Sequence, residues 1–232
     1  MEPDRTDAPS VVRRRADVIV FCIAVIVVFL STVALGPIQR VPDEERAVFE
    51  AINGLPAWIA WLVVPVMQLG VFWAGPLVAF ALFLWGRRTA GAAVLVATLG
   101  AYLIARIAKQ FVGRERPDAL IDQLNLRDAA EGLGFPSGHS AVAAALVLAI
   151  VPYLAWKWRY ALLALPLVVA FARVYVGAHL PLDVVAGFAI GAAAASLTHL
   201  AFGIPVTTER RPRSVPPSLP MRQSTEQRAG PG

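Results

Sequence analysis

Long apolar runs alternate with short polar segments along this chain, at the spacing of helices that cross a bilayer and turn back. An α-helix rises about 1.5 Å per residue against a hydrocarbon core of about 30 Å, so a run of about 20 apolar residues predicts one span. Residues 18–35 form the first. The arginines before it, Arg13, Arg14 and Arg15, resemble the basic flank of a signal peptide, but the run is long for one and no small-residue cleavage site follows, which predicts an uncleaved anchor. Residues 36–54 leave the membrane. Within them 43–53 read as a short amphipathic helix: Asp43 can cap it, glutamates fill its first turn, and Ala47, Val48, Ala51 and Ile52 share a face.

Residues 55–86 carry no charge and are too long for one straight span. Pro65, Gly70, Gly75 and Pro76 punctuate them, predicting a shallow interfacial helix over 56–68, bearing Trp58 and Trp61, and a second span over 71–85. Arg87 and Arg88 close that span. Residues 89–112 are the third, 113–134 a polar loop, and 135–156 the fourth. Lys157 and Arg159 follow, then a fifth span over 160–175, a break at 177–181, and a sixth over 182–202. The pattern therefore predicts an all-α, polytopic membrane bundle with six transmembrane helices. Residues 16–203 form its one domain, between polar, disordered segments at 1–15 and 204–232.

Composition agrees. Of 232 residues, 57% are hydrophobic and 16% charged, where a soluble domain averages about 45–50% and about 25%. The net charge of +5 does not point to nucleic acid, because the Lys and Arg sit in small groups between apolar runs rather than on one face. Six spans put both termini and the turns at 87–88 and 157–159 on one side, and that side holds 13 of the 21 Lys and Arg. The positive-inside rule makes it cytoplasmic. Cys22, alone, excludes an intrachain disulfide.

The topology gathers chemistry on the opposite, extracytoplasmic face. The third span ends on Lys109, with Arg114, Arg116 and Pro117 beyond it. The fourth begins at Pro136, Ser137, Gly138 and His139. The fifth ends near Arg173, and the sixth begins around His179 and Asp183. Charge within spans is costly and usually functional. Ser137 is a good N-cap, which leaves the first amides of the following helix free for an anion beside an imidazole. A cluster of Lys and Arg with such amides suits a phosphoryl group, whose transition state spreads charge over its oxygens. Pro181 suits the first turn of the sixth span, so Asp183 can take a proton from one nitrogen of His179 and leave the other free to attack. Two histidines in one anion site divide into a neutral nucleophile and a protonated acid.

Lys109, six residues, Arg116-Pro117; Pro136-Ser137-Gly138-His139; and Arg173, five residues, His179, three residues, Asp183 resemble the three signature motifs of the type 2 phosphatidic acid phosphatase superfamily. Ala172 stands where that family usually has serine. The resemblance implies a membrane lipid phosphatase in which His179 attacks phosphorus to form a phosphohistidine, Asp183 orients it, and His139 protonates the leaving oxygen. It implies that Lys109, Arg116 and Arg173 hold the phosphate oxygens with help from Ser137 and the Gly138 amide. It also implies no metal or other cofactor. Polyprenyl diphosphate, phosphatidate and phosphatidylglycerophosphate all fit as substrates whose chains stay in the bilayer. A phosphotransferase using the same phosphohistidine, and a transporter or scaffold retaining the fold, are the competing readings.

Of the remaining charges, Arg114 and Glu115 read as loop charges. Arg106, one helical turn before Lys109, reads as a residue paired within the bundle, with support of the site as the second reading. His199, deep in the sixth span, reads as a packed, hydrogen-bonded histidine. The tryptophans near 58–61 and 156–158 read as interfacial anchors.

Overall fold

The computed structural model describes residues 11–36 and 40–205; the segments expected to be disordered fall largely outside these. Among the described residues nine α-helices follow in order: α1 (Arg15–Ala34), α2 (Asp43–Asn53), α3 (Ala60–Met67), α4 (Ala74–Leu84), α5 (Arg88–Val112), α6 (Pro117–Leu120), α7 (Gly138–Ile150), α8 (Trp156–Tyr175) and α9 (Pro181–Phe202). Single 3₁₀ turns lead into α3 and extend α3 and α7. Val11–Val12 pairs antiparallel with Ile204–Pro205, and Arg13 Nε donates to Leu200 O at 2.7 Å, capping a terminal carbonyl of α9. The start of α1 and the end of α9 thus lie at the same end of the bundle.

The chain is a multi-pass helical membrane protein. Helices α1, α8, α9 and the continuous stretch Arg88–Leu120 are long and apolar enough to cross a membrane. The pair Asp43–Asn53 and Ala57–Gly70, bent by 81°, passes the same test only if taken as one broken span. The six expected spans are therefore four or five by length and apolarity among the described residues. The shortfall has two causes. Prolines and glycines cut 55–86 into pieces, leaving α4 with 11 residues, about 16 Å. Helix α7, with 13 residues, is also short, but it is enclosed by α5, α8 and α9 and buried over most of its length.

The core is built from small side chains. Ala141, Ala144 and Ala145 of α7 meet Gly187, Gly191 and Ala194 of α9. A methyl group at Gly187 would collide with Ser137 O, and one at Gly191 with Ala141 O. Small residues at this four-residue spacing let two helices approach backbone to backbone. That approach seats the first turn of α7 against the first turn of α9, where Ser137 N donates to Asp183 O at 2.8 Å.

Candidate active site

At the end of the bundle away from the Val11–Ile204 pairing, four segments converge. Gly113, left-handed at φ 67°, ends α5 and turns the chain across the bundle, a conformation that glycine adopts without strain. Lys109 sits in the last turn before it. Arg116 lies just ahead of α6, whose first residue is Pro117. Ser137 caps α7, accepting from Ser140 N at 3.4 Å. Helix α8 closes with Arg173 O accepting from the amides of Ala178 and His179, both at 3.2 Å, which folds His179 back over Arg173.

Asp183 is the hub. Its Oδ2 accepts from Leu180 N at 2.9 Å, capping α9 just ahead of Pro181, and lies 3.5 Å from His179 Nδ1. At that separation Nδ1 has no hydrogen-bond partner. The expected pair is thus adjacent but not joined; catalytic hydrogen bonds of this kind often tighten only when substrate binds. On the other side of the ring, Arg116 Nη1 lies 3.4 Å from Nε2. Arginine can only donate, so this contact favours the tautomer with a lone pair on Nε2 and the proton on Nδ1, toward Asp183. His179 is 2% exposed. Burial first, and then the positive charges of Arg173, Lys109 and Arg116, hold its pKa well below the ordinary histidine value, so the ring is neutral at neutral pH.

The three expected anion ligands face the same place, and the loop 125–134 holds each of them. Arg173 Nη1 donates to Asp128 Oδ2 at 2.8 Å. Lys109 Nζ donates to Leu133 O at 2.5 Å and Gly134 O at 3.0 Å. Arg116 donates to the carbonyls of Glu131, Gly132 and Ala178. His139 lines a cleft of about 410 Å³ with Gln68, Asp128 and Arg173. Lys109 and Gly138 line another of about 640 Å³ with Tyr102 and Arg106. The loop lies between the two. Ser137 is the N-cap expected, its hydroxyl fully buried and engaged with Ser140 N and Oγ. The amides of Gly138 and His139, in the first turn, have no partner within the helix.

Two expectations are corrected. Arg114 is not a loop charge: it is 1% exposed and forks between Glu45, with Nη2–Oε2 2.5 Å and Nη1–Oε1 3.1 Å, and Asp183 Oδ1 at 2.9 Å. Glu115, beside it, is exposed as expected. Among the described residues Arg106 makes no pair across the bundle. It is exposed beside Lys109, its one described contact being the hydroxyl of Tyr102 on the same helix at 3.5 Å. Sequence reasoning also missed Arg127, which stacks on the Tyr175 ring at 4.3 Å and donates to the carbonyls of Asn53, Leu55 and Tyr175, fastening the loop to the end of α2. His199 is the packed histidine expected, with ring nitrogens 3.2 Å from Asp17 Oδ1 and from Ala149 O. Among the described residues, no three His, Cys, Asp or Glu side chains group as metal ligands.

Residues 90–204 match the family model of the PAP2 superfamily. The lipid A 1-phosphatase of Rhizobium johnstonii is 35% identical over 131 residues, which are 50% of this chain and 52% of the relative. The decaprenylphosphoryl-5-phosphoribose phosphatase of Mycobacterium tuberculosis is 38% identical over 107 residues, 42% of this chain and 55% of the relative. The match thus spans about half the length of these curated relatives. The crystal structure of the first transmembrane PAP2-type phosphatidylglycerolphosphate phosphatase from Bacillus subtilis shares the fold, with a TM-score of 0.61 at 20% identity over 78% of this chain and 93% of that one.

Proposed function

The chain belongs to the PAP2 superfamily through residues 90–204, and from that premise we propose that it is an integral membrane lipid phosphatase. Its substrate is a lipid phosphomonoester or diphosphate, hydrolysed through a phosphohistidine on His179. The observation that carries this reading is the convergence of Lys109, Arg116 and Arg173 with His139, His179 and Asp183 from segments far apart in sequence. The relatives named above act on lipid A, a decaprenyl phosphoribose and phosphatidylglycerolphosphate, which share a phosphoryl group on a membrane-anchored lipid.

The chemistry follows from the groups present. Arg116 exchanges its contact with Nε2 for a phosphate oxygen, and the freed Nε2 lone pair of neutral His179 attacks phosphorus while the three cations and the Gly138 amide neutralise the phosphate oxygens. The bond to the lipid oxygen breaks, and His139 gives that oxygen its proton. Asp183 stabilises the imidazolium that forms. Water, giving its proton to His139, then attacks the phosphohistidine, releasing inorganic phosphate and restoring neutral His179. No step calls for a metal. On this reading the chain passes six times, with α4 and α7 as short crossings, the site on the extracytoplasmic face and both termini in the cytoplasm; the distribution of Lys and Arg supports that orientation.

The test is phosphate release by the purified protein from a panel of lipid phosphates and diphosphates, with and without EDTA. We expect turnover that survives EDTA and is abolished in His179→Ala. Strict dependence on a divalent metal, or unchanged turnover in that variant, defeats the mechanism. Phosphate release without an added acceptor separates a phosphatase from a phosphotransferase.

A further inference from the structure

Behind Asp183, on the side away from His179, lies a cluster of buried charge that the reaction as written does not use. Glu45, Arg114 and Asp183 have side chains 4%, 1% and 0% exposed. Arg114 gives Nη2 to Glu45 and both hydrogens of Nη1 to carboxylates, one on Glu45 and one on Asp183, while its buried Nε has no partner. Its side chain is 1% exposed and opens on neither cleft, so it is not placed to meet a phosphate. Glu45 comes from the first turn of α2, outside the family-matched residues, and its Oε1 also accepts from Leu182 N at 2.8 Å. One carboxylate thus holds both the backbone next to Asp183 and the guanidinium that holds its side chain.

Stability does not account for this arrangement. Burying three charges is expensive, and an apolar replacement of similar volume is often as stable or more so. Orientation does. Asp183 Oδ1 is tied to Arg114 and Oδ2 is left toward Leu180 N and His179 Nδ1. A freely rotating carboxylate would present either oxygen, or neither, to the ring.

Resting on the phosphatase reading of His179, we propose that Arg114 and Glu45 are positioning residues: they lock the Asp183 carboxylate so that Oδ2 faces His179 Nδ1 and Nε2 faces phosphorus. Partners one shell removed from a reacting group typically change activity about 10- to 100-fold while leaving ligand contacts in place.

Two conservative variants of the full chain test this in detergent micelles. Glu45→Gln keeps the shape and the bond to Leu182 but removes the charge. Arg114→Lys keeps the charge but cannot span two carboxylates. We expect kcat to fall about 10- to 100-fold in each. KM and the inhibition constants of inorganic phosphate and vanadate should stay within about threefold, because neither residue touches the anion. The double variant should lose little more than either single, as members of one network do. The proposal is overturned if both folded variants keep kcat within about twofold of the wild type, or if inhibitor affinity falls in step with kcat, which would make Arg114 a phosphate ligand. It is also overturned if neither variant folds, which would assign the cluster to stability alone. Absence of wild-type turnover on every lipid phosphate is a different outcome, which sinks the phosphatase reading and this inference with it.

Discussion

Asp128 Oδ2 lies 2.8 Å from Arg173 Nη1, so a carboxylate of the loop sits on a guanidinium that a substrate phosphate is proposed to bind. The Arg173 side chain is 3% exposed and that of Asp128 42%, which leaves the carboxylate able to swing away into water. A phosphate reaching Arg173 meets that carboxylate and competes with it for Nη1. Partial exposure keeps the energy of the pair modest, about 1 kcal/mol or less. Asp128→Asn should therefore lower KM for a lipid phosphate about two- to fivefold and tighten vanadate inhibition by a similar factor. The gain should shrink as salt is added. Steady-state kinetics at two ionic strengths check this. A raised KM would mean that Asp128 holds Arg173 in place rather than competing for it.

The depressed pKa of His179 makes a prediction about the acid limb. An attacking imidazole must be neutral, and an unperturbed ring would be half protonated near 6.5. Burial and the surrounding cations favour the neutral ring, so protonation is delayed to lower pH. The kcat/KM profile reports the free enzyme, and its acid limb should fall below 6.5 once corrected for ionisation of the substrate phosphate near 6. An acid limb centred at or above 6.5 would assign that proton to another group or place His179 in a more solvated site.

Much of the site was legible because its spacing is local. Pro181, His179 and Asp183 lie within one turn of a helix start, and Ser137 caps the helix that carries His139. What escaped was long-range pairing. Arg114 looks like any arginine in a polar loop, since Glu45 is 69 residues earlier and reaches it only because α2 folds over the start of α9. Asp128, 45 residues before Arg173, gives no periodic signal either. The same limit applied to the spans. Hydropathy finds apolar stretches, but it cannot tell a crossing helix from short pieces broken by Pro65 and Gly70, nor show that α7 is enclosed by its neighbours.

The contact between α7 and α9 sets the distance between the two histidines, so glycine there should matter for chemistry as well as stability. A methyl at Gly187 would collide with Ser137 O, a backbone atom that cannot rotate away. Gly187→Ala should cost about 1–3 kcal/mol by overpacking and reduce kcat, because relief requires the His139 turn to move off α9. Gly100→Ala is the control: its added methyl meets nothing within 4 Å, and it should be neutral or stabilising by about 0.5–1 kcal/mol. Thermal denaturation in detergent, alongside kcat, separates the two. Equal behaviour of the pair would show that α7 and α9 have room to spare.

The division of labour between the histidines can be separated by the leaving group. His139 lines the cleft with Arg173 and Gln68, whereas His179 is buried beside Asp183. An acid matters most when the leaving oxygen is strongly basic, as in a lipid alkoxide, and least when it departs as a stabilised phenolate or phosphate. His139→Ala should therefore lose about 10²–10⁴-fold on a lipid phosphomonoester, and considerably less on an aryl phosphate or a diphosphate. His179→Ala removes the atom that bonds to phosphorus, so its loss should be severe on all three. A transient phosphohistidine should also build up on an aryl phosphate in His139→Ala, because that variant lacks the base that activates water for the second step. Rapid acid-free quenching with radiolabelled phosphate would detect it. If His139→Ala loses activity equally across the three substrates, proton donation is not its main role, and it acts instead as one more ligand to the phosphate.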